Sequence, residues 1–163
     1  MKSFTDNLGR TWTLVVNVAA IKRVRALCGV DLNAIVEVDK DNNPSAELLE
    51  RLSTDPVLLV DVLYAVCKTE CDQKGVSDED FGAAMAGDAI EQATAALLDE
   101  VVDFFPTAKR AALQKILAAT RRFEVLAKKK LEDLLANGGF EKKLVSELER
   151  LTGLSSNAPE SAE

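Results

Sequence analysis

The chain has 163 residues, a net charge of −7 and no histidine, and 47% of its residues are hydrophobic. This length suits one ordinary domain, and the hydrophobic content excludes a wholly disordered chain. The negative charge argues against binding to nucleic acid or to an anionic membrane, because both need a positively charged surface. The absence of histidine removes the most common general base and zinc ligand, so the composition argues against an enzyme.

Two runs of β-branched and aromatic residues predict a β-hairpin at the N-terminus. They cover residues 4–5 and 11–16, and the turn-forming sequence Asp-Asn-Leu-Gly lies between them. In the second run Trp12, Leu14 and Val16 alternate with Thr or Val, so we expect one face of the hairpin to be buried.

Helical patterns begin after the hairpin. We expect a short helix over 19–27, with Ile21 and Val24 directed inward, Leu27 and Cys28 as further candidates for the inward face, and Gly29 as its stop. The sequence over 30–38 fits either a strand or a helix, and we favour irregular or extended structure. A polar turn is expected over 39–44.

The middle of the chain predicts three helices with identifiable starts. Ser45 is expected to cap a helix that runs to Leu52, and Pro56 to begin a buried helix that runs to about Lys68. Ser77 and Asp80 form a capping-box pattern for a helix over 78–86, which Gly87 would end.

The last part of the chain predicts longer helices. One covers 88–105 and is broken by Pro106, a long one covers 107–137, and a terminal one covers 140–152. The fold class is therefore mainly α (α+β). We expect a hairpin plus helical core domain over 1–106, two helices packed on or extending from it over 107–152, and a disordered tail over 153–163.

The sequence contains two possible metal-binding patterns, and we favour neither as a real site. Cys67 and Cys71 are four residues apart, so with Cys28 they could supply three thiolates to a metal, but buried free thiols explain them better. The positions Asp39, Asp41, Asn43 and Glu50 match a calcium loop, but Pro44 occupies the place that needs glycine. We therefore expect no metal and no cofactor.

Charge is distributed unevenly along the chain. Residues 70–103 include ten acidic residues and one lysine, whereas residues 109–130 include eight basic residues and one acidic residue. A basic stripe can contact nucleic acid, but Phe123 is the only aromatic residue within it. We favour a solvated face or mutual compensation of the two blocks.

Two groups of apolar residues are candidates for protein binding. Phe104 and Phe105 are adjacent, so they lie on different faces of a helix, and one ring can remain outside the core as an anchor for a partner. The two terminal helices carry more leucine than they can bury against each other, which is typical of partner-binding or self-association surfaces. These leucines are Leu131, Leu134, Leu135, Leu144, Leu148 and Leu151.

The order of short motifs in the first two-thirds of the chain resembles that of small proteins encoded in phage and prophage tail gene clusters. It is similar in particular to tail assembly chaperones of long-tailed bacteriophages. The motifs are Phe4, 9–12 (GRTW), 17–18 (NV), 21–24 (IKRV), 29–32 (GVDL), 55–59 (DPVLL), 77–81 (SDEDF) and 104–106 (FFP). They span residues 4 to 106 and consist of packing and turn residues, so no functional residue is carried over.

The resemblance implies a protein that binds the tape measure and tail tube proteins during tail assembly and has no catalytic activity. We also expect a homo-oligomer. Its expected location is the cytoplasm of a bacterial host, because there is no apolar signal segment and three cysteines fit reduced thiols. Nucleic-acid and membrane partners are not expected. Two alternatives stay open, namely a structural subunit of a phage tail or virion and a thiol- or metal-dependent protein.

Overall fold

The computed structural model of the chain describes residues 1–38, 44–136 and 138–152. Within them the fold is mainly helical with an N-terminal antiparallel hairpin, which confirms the predicted class. Positions 39–43 of the predicted polar turn lie outside the described residues, and with them three of the four possible calcium ligands, Asp39, Asp41 and Asn43. So does the predicted tail over 153–163.

The hairpin consists of β1 (Lys2–Thr5) and β2 (Thr11–Leu14), with Phe4 opposite Trp12. The predicted inward face of the second strand is buried, from Trp12 through Leu14 to Val16. Gly9 has a φ of 76°, which glycine adopts without strain, so the chain can reverse direction there.

Helix α1 (Val18–Cys28) is capped at its N-terminus by Asn17, whose side chain accepts a hydrogen bond from the Ala20 amide. It ends at Gly29 in the left-handed conformation, as predicted. Ile21 and Val24 are buried, but Leu27 is exposed, so its predicted inward direction was wrong. Leu27 follows Val24 by three residues, but only the face that carries Ile21 and Val24 packs on the core.

The segment that was ambiguous in the sequence is mostly irregular. It includes one turn of 3-10 helix over Leu32–Ala34 and then strand β3 (Glu37–Val38). Strand β3 pairs with β4 (Pro44–Ser45) in an antiparallel arrangement. Helix α2 (Glu47–Thr54) starts at Ala46 without a side-chain cap, so the prediction that Ser45 caps it was wrong. Ser45 is in strand β4 and pairs with Glu37 instead.

Helix α3 (Pro56–Lys74) packs against α1, α2 and β2. The Asp55 carboxylate caps it by accepting hydrogen bonds from the amides of Val57 and Leu58, and Pro56 occupies the first turn, as predicted. The helix runs beyond the predicted end at Lys68, because the left-handed residue that stops it is Gly75.

The remaining helices follow the predicted order. Helix α4 (Asp78–Ala83) has the predicted capping box between Ser77 and Asp80. It ends at Ala83, so the prediction that it runs to residue 86 and is ended by Gly87 was wrong. Gly87 instead directly precedes α5 (Asp88–Phe104). After Pro106 come α6 (Thr107–Ala136) and α7 (Gly139–Thr152).

The chain divides into a compact unit over Met1–Gln114 and a second unit that begins at Lys115. In the first unit the hairpin packs against α3 and α5. The Phe81 ring from α4 is at its centre and lies 5.1 Å from the ring of Trp12 and 5.7 Å from that of Tyr64. At the start of α6, the Lys109 ammonium donates a hydrogen bond to the Asn33 carbonyl in this unit.

Carboxylates from the surrounding helices and from the turn complete the hydrogen bonds of the hairpin. Glu70 accepts from the Thr13 amide at 2.9 Å, and Glu100 accepts from the Val16 amide at 3.4 Å. Edge strands with unpaired amides are sites of aggregation, so these contacts protect the hairpin.

The side chain of Asp6 stabilises the hairpin turn through hydrogen bonds. Its buried carboxylate accepts from the Leu8 amide, the Arg10 amide, the Arg10 guanidinium at 2.7 Å and the Trp12 indole nitrogen at 2.8 Å. Burial by itself raises the pKa of Asp6, but the hydrogen bonds from Trp12 and Arg10 and the Arg10 charge outweigh it. The net result is a pKa below the ordinary value, because the charged form makes the contacts.

Candidate protein-binding surface

Five of the six predicted leucines can be placed on the surface of α6 and α7. Leu131, Leu135, Leu144 and Leu148 are each between 50% and 56% exposed, and Leu134 is half-buried. We call these five residues the leucine stripe. Leu151 is in α7, but its side chain lies outside the described part of the chain.

The leucine stripe is exposed because the two helices that carry it do not cover each other. Among the described residues, α6 and α7 make few contacts with each other. Leu131 and Leu135 are one helical turn apart, and so are Leu144 and Leu148, so each helix presents its leucines as a row. An apolar row of this kind is the usual docking surface for an amphipathic helix.

The two adjacent phenylalanines at the end of α5 have different environments. Phe105 is 5% exposed, its ring is 5.4 Å from that of Phe104, and the Lys109 ammonium lies 4.0 Å from its centre. Phe104 is half-buried. Phe105 therefore belongs to the core of the first unit, and only part of the Phe104 ring is open to a partner.

The structure adds exposed apolar residues that the sequence interpretation did not include as binding candidates. Phe123 is 72% exposed, and Val125 and Leu126 beside it are also exposed. The sequence does contain a signal for them, since a phenylalanine within a run of basic residues interrupts an otherwise solvated helix face.

The three cysteines offer little reactivity. Cys67 and Cys71 are buried and Cys28 is half-buried. Burial raises the pKa of Cys67 to about 12 and that of Cys71 to about 11, with smaller contributions from nearby negative groups such as Glu70. Because the thiolate is the nucleophile and the metal ligand, these two thiols are poorly suited to either role.

We expect alkylation by iodoacetamide to distinguish the thiols. At pH 8 the folded protein should be modified at Cys28 alone, and slowly, since burial also raises the pKa of this thiol. Mass spectrometry after denaturation in urea should show modification of Cys67 and Cys71 as well. Rapid modification of Cys67 in the folded protein would contradict the buried position.

In the described part of the chain, the Cys, Asp and Glu residues form no group of three or more that could hold a metal ion. No helix there is both long and apolar enough to cross a membrane. Comparisons of the chain with protein-family models, with curated proteins and with solved structures find no match.

Proposed function

We propose that the protein is a non-enzymatic tail assembly chaperone of a phage or prophage, which binds the tape measure and tail tube proteins while a tail is assembled. The observation that carries this proposal is the leucine stripe on α6 and α7. It supports a function in binding other proteins, and the resemblance of residues 4–106 supports the tail assembly context. The buried thiols and the lack of histidine fit a protein without catalysis.

The leucine stripe fits a helical partner. A tail assembly chaperone of the proposed kind holds an elongated or aggregation-prone partner until that partner polymerises, and an apolar helix face on the partner would need a complementary apolar surface. Leucines in two rows provide such a surface, and the charged residues between them keep the free chaperone in solution.

We expect that Leu134→Glu together with Leu148→Glu will abolish capture of the tape measure protein in a co-expression pull-down. A buried glutamate at the contact would be desolvated without a partner, which costs several kcal/mol of binding free energy. Circular dichroism should show an unchanged helix content, because both residues are exposed or half-buried.

The control for this experiment is Val125→Glu with Ser146→Glu. These residues are exposed on other faces of α6 and α7 and introduce the same charge. Capture by the control variant and loss with the stripe variant would support the proposal. Unchanged capture by the stripe variant would show that the leucines do not bind the partner.

Purified mature tails separate the chaperone from the alternative of a structural subunit. A chaperone acts during assembly, so we expect it to be absent from the finished particle. A fixed stoichiometry in purified tails, measured by quantitative mass spectrometry, would replace the chaperone proposal with a structural one.

A further inference from the structure

An open groove on the surface of the first unit combines an apolar floor with a negative rim. It lies between α3, α4 and the start of α5 and has a volume of about 510 Å³. Val57, Val60 and Ile90 contribute apolar surface, and the carboxylates are those of Asp61, Asp78 and Glu79. We call these six residues the acidic groove. Its volume is within the roughly 300–1,000 Å³ that is typical of binding pockets.

The negative charge of the acidic groove is not compensated locally. Within residues 1–38, 44–136 and 138–152, no basic side chain is paired with Asp61, Asp78 or Glu79. Burial and the nearby charges of Asp78 and Asp55 raise the pKa of Asp61 above its ordinary value. A positively charged occupant would relieve this repulsion, and an apolar side chain would cover the exposed Val57 and the half-buried Val60.

The chain itself contains a helix face of the opposite character. On α6, Lys115, Arg122, Phe123, Leu126 and Lys130 fall on one side at the helical period of 3.6 residues, and all five are exposed. We call them the basic face. Along the axis of α6, Phe123 and Leu126 lie between Lys115 and Lys130, so the face matches the groove in both charge and polarity.

We propose that the basic face of one chain docks into the acidic groove of a second copy of the same chain. Phe123 covers Val57, Val60 and Ile90, while the surrounding cations approach Asp61, Asp78 and Glu79. The two surfaces are different, so the contact is heterologous and joins copies head to tail. Its small size makes the association weak and dependent on concentration, and its charges make it sensitive to salt.

Sedimentation velocity of the full chain over a range of concentrations tests the proposal. We expect reversible self-association that weakens as the ionic strength rises. Asp61→Lys with Glu79→Lys should raise the dissociation constant roughly tenfold or more, because like charges would face each other. Arg122→Glu with Lys130→Glu should do the same.

Charge exchange gives the decisive result. An equimolar mixture of the two variants should associate again. The unchanged basic face of the groove variant meets the unchanged acidic groove of the face variant, and the two altered surfaces also carry opposite charges. Phe123→Ser, which leaves the charge unchanged, should also raise the dissociation constant roughly tenfold. The controls are Glu132→Lys with Glu149→Lys and Lys142→Glu with Lys143→Glu, which change the net charge equally at other exposed positions of α6 and α7.

Three outcomes would overturn the proposal. They are a wild-type chain that stays monomeric at every concentration, an association that the groove and face variants weaken no more than the controls do, and a mixture that does not restore association. The acidic groove and the basic face share no residue with the leucine stripe. Capture of the tape measure protein and self-association can therefore fail separately.

Discussion

Replacing Asp6 with alanine is expected to lower the free energy of unfolding by about 3 to 5 kcal/mol, as removal of one member of a buried, charged hydrogen-bond network does. The variant leaves the Trp12 indole nitrogen and the Arg10 amide without their acceptor inside the turn. Urea denaturation followed by the fluorescence of Trp12, the only tryptophan, measures the change directly.

Asp31→Ala is the matched control for this prediction. The Asp31 carboxylate also accepts from a backbone amide, that of Asn33, and from an arginine, Arg25, but its side chain is 39% exposed. We expect a loss of about 1 kcal/mol or less, because water replaces most of its contacts. Equal losses in the two variants would show that burial of Asp6 contributes little.

The depressed pKa of Asp6 also predicts a pH dependence. In the pH range between the folded pKa and the unfolded value of about 3.9, the unfolded chain binds more protons, so stability rises with pH. The contribution of Asp6 is therefore fully present above about pH 4 and is lost as the pH falls through the folded pKa. In Asp6→Ala this part of the acid sensitivity should disappear.

The features that could be predicted from the sequence are those fixed by local residues. Glycine at a positive φ ends α1, proline follows the capping aspartate of α3, and a serine and an aspartate form the capping box of α4. In each of these the determining groups lie within a few residues of one another, so a short window of sequence contains the information.

The features that could not be predicted depend on residues far apart in the chain. Glu70 and Glu100 look like ordinary solvated residues of helices in the sequence, yet both bond to the hairpin. Ser45 looks like a cap, but its pairing with Glu37 places it in a strand. The helix periodicity of α6 and α7 identified the leucine stripe, whereas the acidic groove is formed by three helices whose arrangement is set by tertiary packing.

Asp6 is an intermediate case. Its position before Asn7 and Gly9 predicts a turn, and an arginine four residues later suggests an ion pair. The sequence does not show that the carboxylate is buried, because burial follows from packing of the turn on α4. There the Asn7 amide donates to the Ala84 carbonyl, and the Arg10 guanidinium donates to the Asp80 carbonyl.

Phe81→Ala is expected to cost about 3 to 5 kcal/mol of unfolding free energy, as truncation of a fully buried aromatic residue does. The ring is 0% exposed and makes edge or tilted contacts with the rings of Phe4, Trp12 and Tyr64, so alanine would leave a cavity where the hairpin, α3 and α4 meet. Each aromatic pair adds about 0.5 to 1.5 kcal/mol beyond the buried area.

Phe123→Ala is the control, because it removes the same side chain from an exposed position. We expect its unfolding free energy to stay within about 0.5 kcal/mol of the wild type. Self-association should nevertheless weaken, since Phe123 is the side chain of the basic face that covers the apolar floor of the acidic groove. Urea denaturation followed by Trp12 fluorescence measures both stabilities, and sedimentation velocity measures the association. A large loss of stability in Phe123→Ala would mean that its ring is part of a core and is not available to a second copy.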